Sequence, residues 1–583
     1  MSAAARSINW RCLPANSAGA PGAGGNPDGP AARRSGRSER RAAAPLLSRW
    51  KALPRAGRLG GVLSTVVLVA AGGGLVSATA LAPQGPGSSR AVSAPLAAVP
   101  AGSSIGVCPG PVRLLEGAPV GTDPQFSPES ATAKSDVSAV VLGSSAGVLP
   151  GSRLASLTGS ALVELAKATP ASGSPTAAAT RPANGTPVPL AGVVSQRGVG
   201  DVSVLSADAQ EGRQASAGAV MRYAAEDGDL RGSAAAACQQ PANDLWLVGA
   251  NTALGRTAVL NLTNISGSPA TVSLDLFGAK AQIQAPGSRG LLVAPGTTRS
   301  VILAGLAPGE ERLSVRVRSA GGPVAAVIQQ SVLRGLTPGG VEFIAPATAP
   351  AVRQVIAGVD IQDPAGLADL TGKPGFADAG PALQITVPGS ADAVVAIKLF
   401  GRDGQKTLPG GGVITAKAGA VTEVPLAGMP AGPYTVAVSS DVSFTAAVRV
   451  TRGLDAEDAS DFAWSAASAR LGSQHVVPVP GTGDRYLVFG APEGRATVSY
   501  SPVTADGKIR EAAAADIAGG TTASIKVPAD VGGSPIVGYV VSAAGDPAFG
   551  AVVLEQEGRP DIAAVAIAPG VTGREQVPVS LGY

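Results

Sequence analysis

The chain has 583 residues, more than a fifth of them Gly (78) and Pro (48), only 3% aromatic, with a formal charge of +4. That length implies several domains, and text in which Ala alternates with Val, Thr and Ser between frequent Gly and Pro reads as strand and turn rather than helix. His475 is the one histidine, which excludes histidine metal clusters and argues against a Ser-His-Asp or Cys-His centre.

In chain order, residues 1–58 carry eleven Arg or Lys against Asp28 and Glu39, a local charge of +9 that leaves −5 for everything after it. The basic character therefore belongs to a tail with no apolar periodicity, expected to be disordered and cytoplasmic, and no nucleic-acid partner is expected. Residues 59–82 (LGGVLSTVVLVAAGGGLVSATALA) hold no charge. They are long enough to cross a bilayer as a transmembrane helix, and the preceding arginines put the N-terminus inside. The rival is a cleaved signal peptide with Ala78-Thr79-Ala80 as its site, but 58 residues is far longer than an ordinary basic leader. The chain then reads as a single-pass cell-membrane protein, its bulk extracellular behind a Pro/Gly/Ser stalk at 83–101.

Four β modules are expected beyond the stalk: 102–240, interrupted by a low-complexity insertion at 168–189, then 241–350, 351–470 and 471–583, the last with a closing strand. One phrase, two apolar stretches around a turn closed by a charge and Gly, recurs at Arg316–Gly335, Val436–Gly453 and Val540–Gly558. In LSVRVRS, Leu313, Val315 and Val317 face one way and Ser314, Arg316 and Arg318 the other, the pattern of a half-buried antiparallel strand. The fold class expected is all-β: tandem immunoglobulin-like or fibronectin-like sandwiches behind one N-terminal transmembrane helix. The alternative is a β-propeller-like closed repeat, which the long period disfavours. Connectors at 340–358, 461–481 and 561–583 share alternating apolar residues, as in VEFIA, HVVPV and AAVAIA. They are expected to pair with edge strands and hold the modules as a semi-rigid rod.

Cys108 and Cys238 lie outside the membrane and are expected to form a disulfide tying the first module to the start of the second, whereas Cys12 lies in the reducing compartment. Trp246 and Trp464 are read as structural core residues, Trp464 within a joint. Acids cluster at Glu226, Asp227 and Asp229 and at Asp455, Glu457, Asp458 and Asp461, and read as solvated inter-module loops, with a calcium site as the alternative. Gly410–Gly412 is a hairpin run, not a phosphate cradle. No catalytic residue, metal or cofactor is assigned.

The segments CPGP, CQQPANDLWLVG, the APG turns and DFAW resemble a family of uncharacterised actinobacterial membrane-anchored extracellular proteins. The resemblance implies an envelope location and carries over no catalytic residue. The expected function is non-enzymatic: a spacer or binding scaffold for cell-wall polysaccharide or a neighbouring membrane protein. The alternative is a carboxylate-dependent cell-wall hydrolase.

Overall fold

A computed structural model describes residues 96–98, 102–114, 130–144, 147–167, 190–210, 212–570 and 576–578. The basic tail, the 59–82 span and the 168–189 insertion lie outside the described residues. Among the described residues no helix is long and apolar enough to cross a membrane.

The protein is all-β, and its strands group into four units with one plan. The second unit shows it most clearly. Strand A is Asp244–Ala250, B Arg256–Asn264, C Ala270–Phe277, D Leu291–Val293, E Thr297–Ile302, F Leu313–Gly321, G Ala325–Arg334 and H Thr337–Ile344. One sheet has the order A-F-C-D and the other E-B-G-H, every pair antiparallel. Leu313, Val315 and Val317 of strand F enter the core between the two sheets, while Arg316 and Arg318 pair outside with Asp244 and Asp275. The same two orders recur in the first unit (Ser104–Cys108 to Gly232–Ala237), the third (Ala351–Ile361 to Asp461–Ala466) and the fourth (His475–Pro478 to Ile562–Ala566). In the third, F and G are one continuous strand, Gly432–Arg452, that passes from one sheet into the other. Each unit is thus a two-sheet sandwich, but its edges differ from the immunoglobulin order, in which A lies beside B and G beside F. Here A pairs with F and G pairs with B.

The expected rod is not formed. The fourth strand of each E-B-G-H sheet, strand H, comes from the start of a connector, and the four H strands pack around a common axis. Gly232–Ala237 packs against Thr337–Ile344 and Ile562–Ala566, and Asp461–Ala466 packs against the same two. The cores show the same closure. Val327, Val341 and Phe343 of the second unit complete the core of the first. Ala447, Phe462 and Trp464 of the third complete that of the second. Val488, Val553, Ile562 and Ala564 of the fourth complete that of the third. Val220 and Ala235 of the first complete that of the fourth. The four units therefore form a closed ring, as in the propeller alternative, though each is a two-sheet sandwich rather than a single-sheet blade. The physical reason is legible in the connectors: AAVAIA is apolar on both faces and VEFIA on both but for Glu342, and a strand apolar on both faces needs cover on both sides.

Candidate functional site

Four edge strands meeting on an axis bring together backbone N–H groups that no neighbouring strand pairs, and a buried unpaired N–H is costly. Two carboxylates meet that need. Asp461, 1% exposed, opens strand H of the third unit. Its Oδ2 accepts from Ser233 N (2.8 Å) and Ile562 N (3.1 Å), and its Oδ1 from Val341 N (3.1 Å). One side chain thus ties all three other axial strands. Glu342, fully buried on strand H of the second unit, repeats the device: it accepts from Phe343 N (2.7 Å), from Trp464 N (3.1 Å) and from the Ala235 N–H.

Glycine makes this arrangement possible. A Cβ on Gly340 would lie 2.3 Å from Asp461 Oδ1 and one on Gly232 2.7 Å from it, and both residues hold positive φ (104° and 136°). Burial pushes the Asp461 and Glu342 carboxyls well above the usual carboxylate range, against the pull of the N–H donors. The charge of Asp561 adds to the rise at Asp461, and that of Asp461 to the rise at Glu342.

At the other end of the axial strands lies a cavity of about 480 Å³ walled by all four units. Its lining includes Ala236, Phe343, Ala347, Trp464, Ala466 and Ile567, and is mainly apolar, with Gln214, Gln239 and Thr348 among the polar exceptions. The volume is that of a small-ligand or peptide-side-chain site.

The residues singled out from sequence fall as follows. Cys108, at the end of strand A of the first unit, and Cys238, just past its strand H, form a disulfide with Cα atoms 4.1 Å apart. The bridge closes the first unit at the rim of the axial cavity, where Cys238 is a wall residue. Trp464 packs from the third unit into the core of the second, its ring against the backbone of Gly249 and beneath the Arg449 guanidinium. Trp246 stacks on Phe277 at 5.6 Å and meets Val421 of the third unit. His475 is buried, its Nε2 accepting from Gly472 N and its Nδ1 bonded to the Ala568 carbonyl.

The acidic clusters need correction. Both lie on G–H hairpins within a unit, and Asp461 is an axial strand residue, not part of a solvated loop. Asp455, Glu457 and Asp458 are exposed. Asp227 is held to about 2 by hydrogen bonds from the Ser130 and Thr132 hydroxyls. Glu226 pairs with Arg559 of the fourth unit at 2.5 Å, so it spans the ring closure. Among the described residues no group of three or more His, Cys, Asp or Glu is placed to hold a metal. Sequence reasoning passed over Glu342, although an acid inside the apolar run VEFIA, directly after Gly339-Gly340, was the available signal.

Fold and site together define an all-β protein of four two-sheet units closed on a buried acidic axis above an apolar cavity. The chain belongs to a family of unknown function, DUF5719, which matches residues 193–528. The match runs from strand E of the first unit to just past strand E of the fourth. No curated protein and no solved structure matches the chain.

Proposed function

We propose that this is a non-enzymatic, membrane-anchored extracellular envelope protein of the actinobacterial type, a binding scaffold whose ring receives an apolar segment of a neighbouring membrane protein. The axial cavity carries this reading. Its walls are alanine, valine, proline and aromatic side chains, which suit an apolar occupant better than the hydroxyl-rich face of a wall polysaccharide. Ser104 to Gly106 line it and follow the uncharged 59–82 span by about 20 residues in the sequence. The hydrolase alternative has less support. Asp461 and Glu342, the most buried acids of the axis, are committed to backbone N–H donors and closed to solvent.

The test is a photo-crosslinking residue in place of Ala347, on the cavity wall, in intact cells. The reading expects one membrane protein to be captured at Ala347 and lost when the same group is placed at exposed Val413. Capture of wall glycan, or release of reducing ends from purified wall by the protein, would overturn it.

A further inference from the structure

We infer that the joint between the second and third units is a binding site for one small monovalent anion, of the size and charge of chloride. Three guanidiniums converge there. Arg256 and Arg334 leave strands B and G of the second unit, and Arg449 leaves the continuous F–G strand of the third. All three line one cavity of about 20 Å³, together with Asp378, Ser460 and Trp464. By the usual scale of one water per ~10–15 Å³ in this measure, that is room for one or two water-sized species and for nothing as large as a sugar or a nucleotide.

The charges do not cancel. Asp378 is the one carboxylate in the wall among the described residues, and it is already engaged: its oxygens accept from Arg256 Nε (2.9 Å) and Nη2 (2.7 Å), and from Arg334 Nη1 (2.6 Å). Glu423 stands behind Arg449 at 3.7 Å, outside the wall, and also accepts from Gln384. Counting both acids, the joint keeps one positive charge in excess. Arg334 and Arg449 are the most enclosed of the three, with side chains 8% and 9% exposed. Each keeps its Nη contacts, Arg334 to Asp378 and the Gly375 carbonyl, Arg449 to the Gly380 carbonyl at 3.2 Å. Among the described residues, each has a buried Nε–H with no hydrogen-bond partner.

Two buried donors on cations cannot be satisfied by each other. An arginine has five N–H groups and no acceptor, so the group that completes this wall must accept and should be negative. Within the wall, Gln330 spends its amide on Asn251, Thr257 and Ser331, and Trp464 covers the Arg449 guanidinium face at 5.7 Å; outside the wall, Phe376 covers that of Arg334 at 4.6 Å. An anion here would pin the third unit's Asp378 loop to the second unit, so its binding would stabilise the ring.

The experiment is 35Cl line broadening on the full-length protein in detergent, paired with thermal unfolding in sodium chloride, bromide or gluconate at equal ionic strength. The expected result is saturable excess broadening, displaced by bromide but not by sulfate, and a midpoint about 2 °C higher in halide than in gluconate. Arg449→Lys keeps the charge but removes the Nε–H, and should weaken the halide effect about tenfold. Arg353→Met, which breaks the exposed Arg353–Glu493 pair, should leave it unchanged. Absence of saturable broadening in the folded wild type would overturn the site, because a bound water would then suffice. Equal broadening in a folded Arg449→Lys protein would overturn its placement. If Arg449→Lys does not fold, the wild-type titration decides alone.

Discussion

Replacing Asp461 by Asn changes one atom of the axis and leaves its volume intact. The carboxylate accepts from Val341 on one oxygen and from Ser233 and Ile562 on the other. The amide's best orientation keeps its oxygen toward Ser233 and Ile562 and turns its NH₂ onto the Val341 N–H. Donor then faces donor in a site that is 1% exposed. A buried donor left unmade costs about 1–3 kcal/mol, and here both the Val341 N–H and the new NH₂ are left so, giving about 2–4 kcal/mol after some relaxation. Removing a buried acid whose ionisation burial opposes works the other way, which keeps the figure at the lower part of the sum. Urea unfolding at pH 8, with wild type and Asp461→Asn fitted at a common slope, reads the difference directly. A change below about 0.5 kcal/mol, or a stabilised variant, would refute the claim that Asp461 ties the other three axial strands.

Other outcomes follow from the same structure. Reducing the Cys108–Cys238 disulfide opens a loop with a sequence separation of 130 and should destabilise by about 4–5 kcal/mol on the loop-entropy estimate, read as a lower urea midpoint in dithiothreitol. Trp464→Ala empties a site shared by two units and should cost about 3–5 kcal/mol, and crosslinking should show loosening between the second and third units rather than within either. The pH dependence has a definite sign: burial raises Asp461 and Glu342 above their ordinary values of 3.8 and 4.5, so the folded state holds their protons more tightly than the unfolded one. Their contribution is full at or below those values and is lost as pH rises through the raised ones. Stability measured from pH 4 upward should therefore fall less steeply in Glu342→Gln than in wild type, and an equal or steeper fall would contradict the assignment.

The single strand was legible in the sequence, and the way strands close was not. LSVRVRS shows its inward and outward faces at a glance, because period-two alternation follows directly from strand geometry. The closing charge of the repeated phrase was visible too, but its meaning needed three dimensions. Arg334 reaches Asp378 of the third unit, and Arg452 reaches Glu555 of the fourth at 2.5 Å, so in the first two copies the closing residue is a joint between neighbours, while Glu557 of the last copy is exposed. The rod expectation arose because an apolar connector reads the same whether it covers the next module in a line or an axis. What separates the two is the partner of the last connector, and that partner, the first unit's Gly232–Ala237, lies more than three hundred residues upstream of Ile562–Ala566. The axial acids were hidden for a related reason. DFAW looks like a loop entering a strand, and only the convergence of four edges turns Asp461 into an acceptor for three of them. The Cys108–Cys238 pairing could be read from parity, since only two cysteines follow the uncharged span.

Closure of the ring is tested most directly where the first and fourth units touch. Arg222 of the first unit donates from Nη1 to Thr482 Oγ1 of the fourth at 2.5 Å, across 260 residues of sequence. Spin labels at Arg222→Cys and Thr482→Cys, in a Cys12→Ser background, report the separation by pulsed dipolar spectroscopy. A closed ring gives one narrow distance below about 30 Å, set by the labels' own reach. An open array would put two whole units between them, each roughly 30 Å across for ~100 residues, and a broad distribution beyond about 60 Å would contradict the ring.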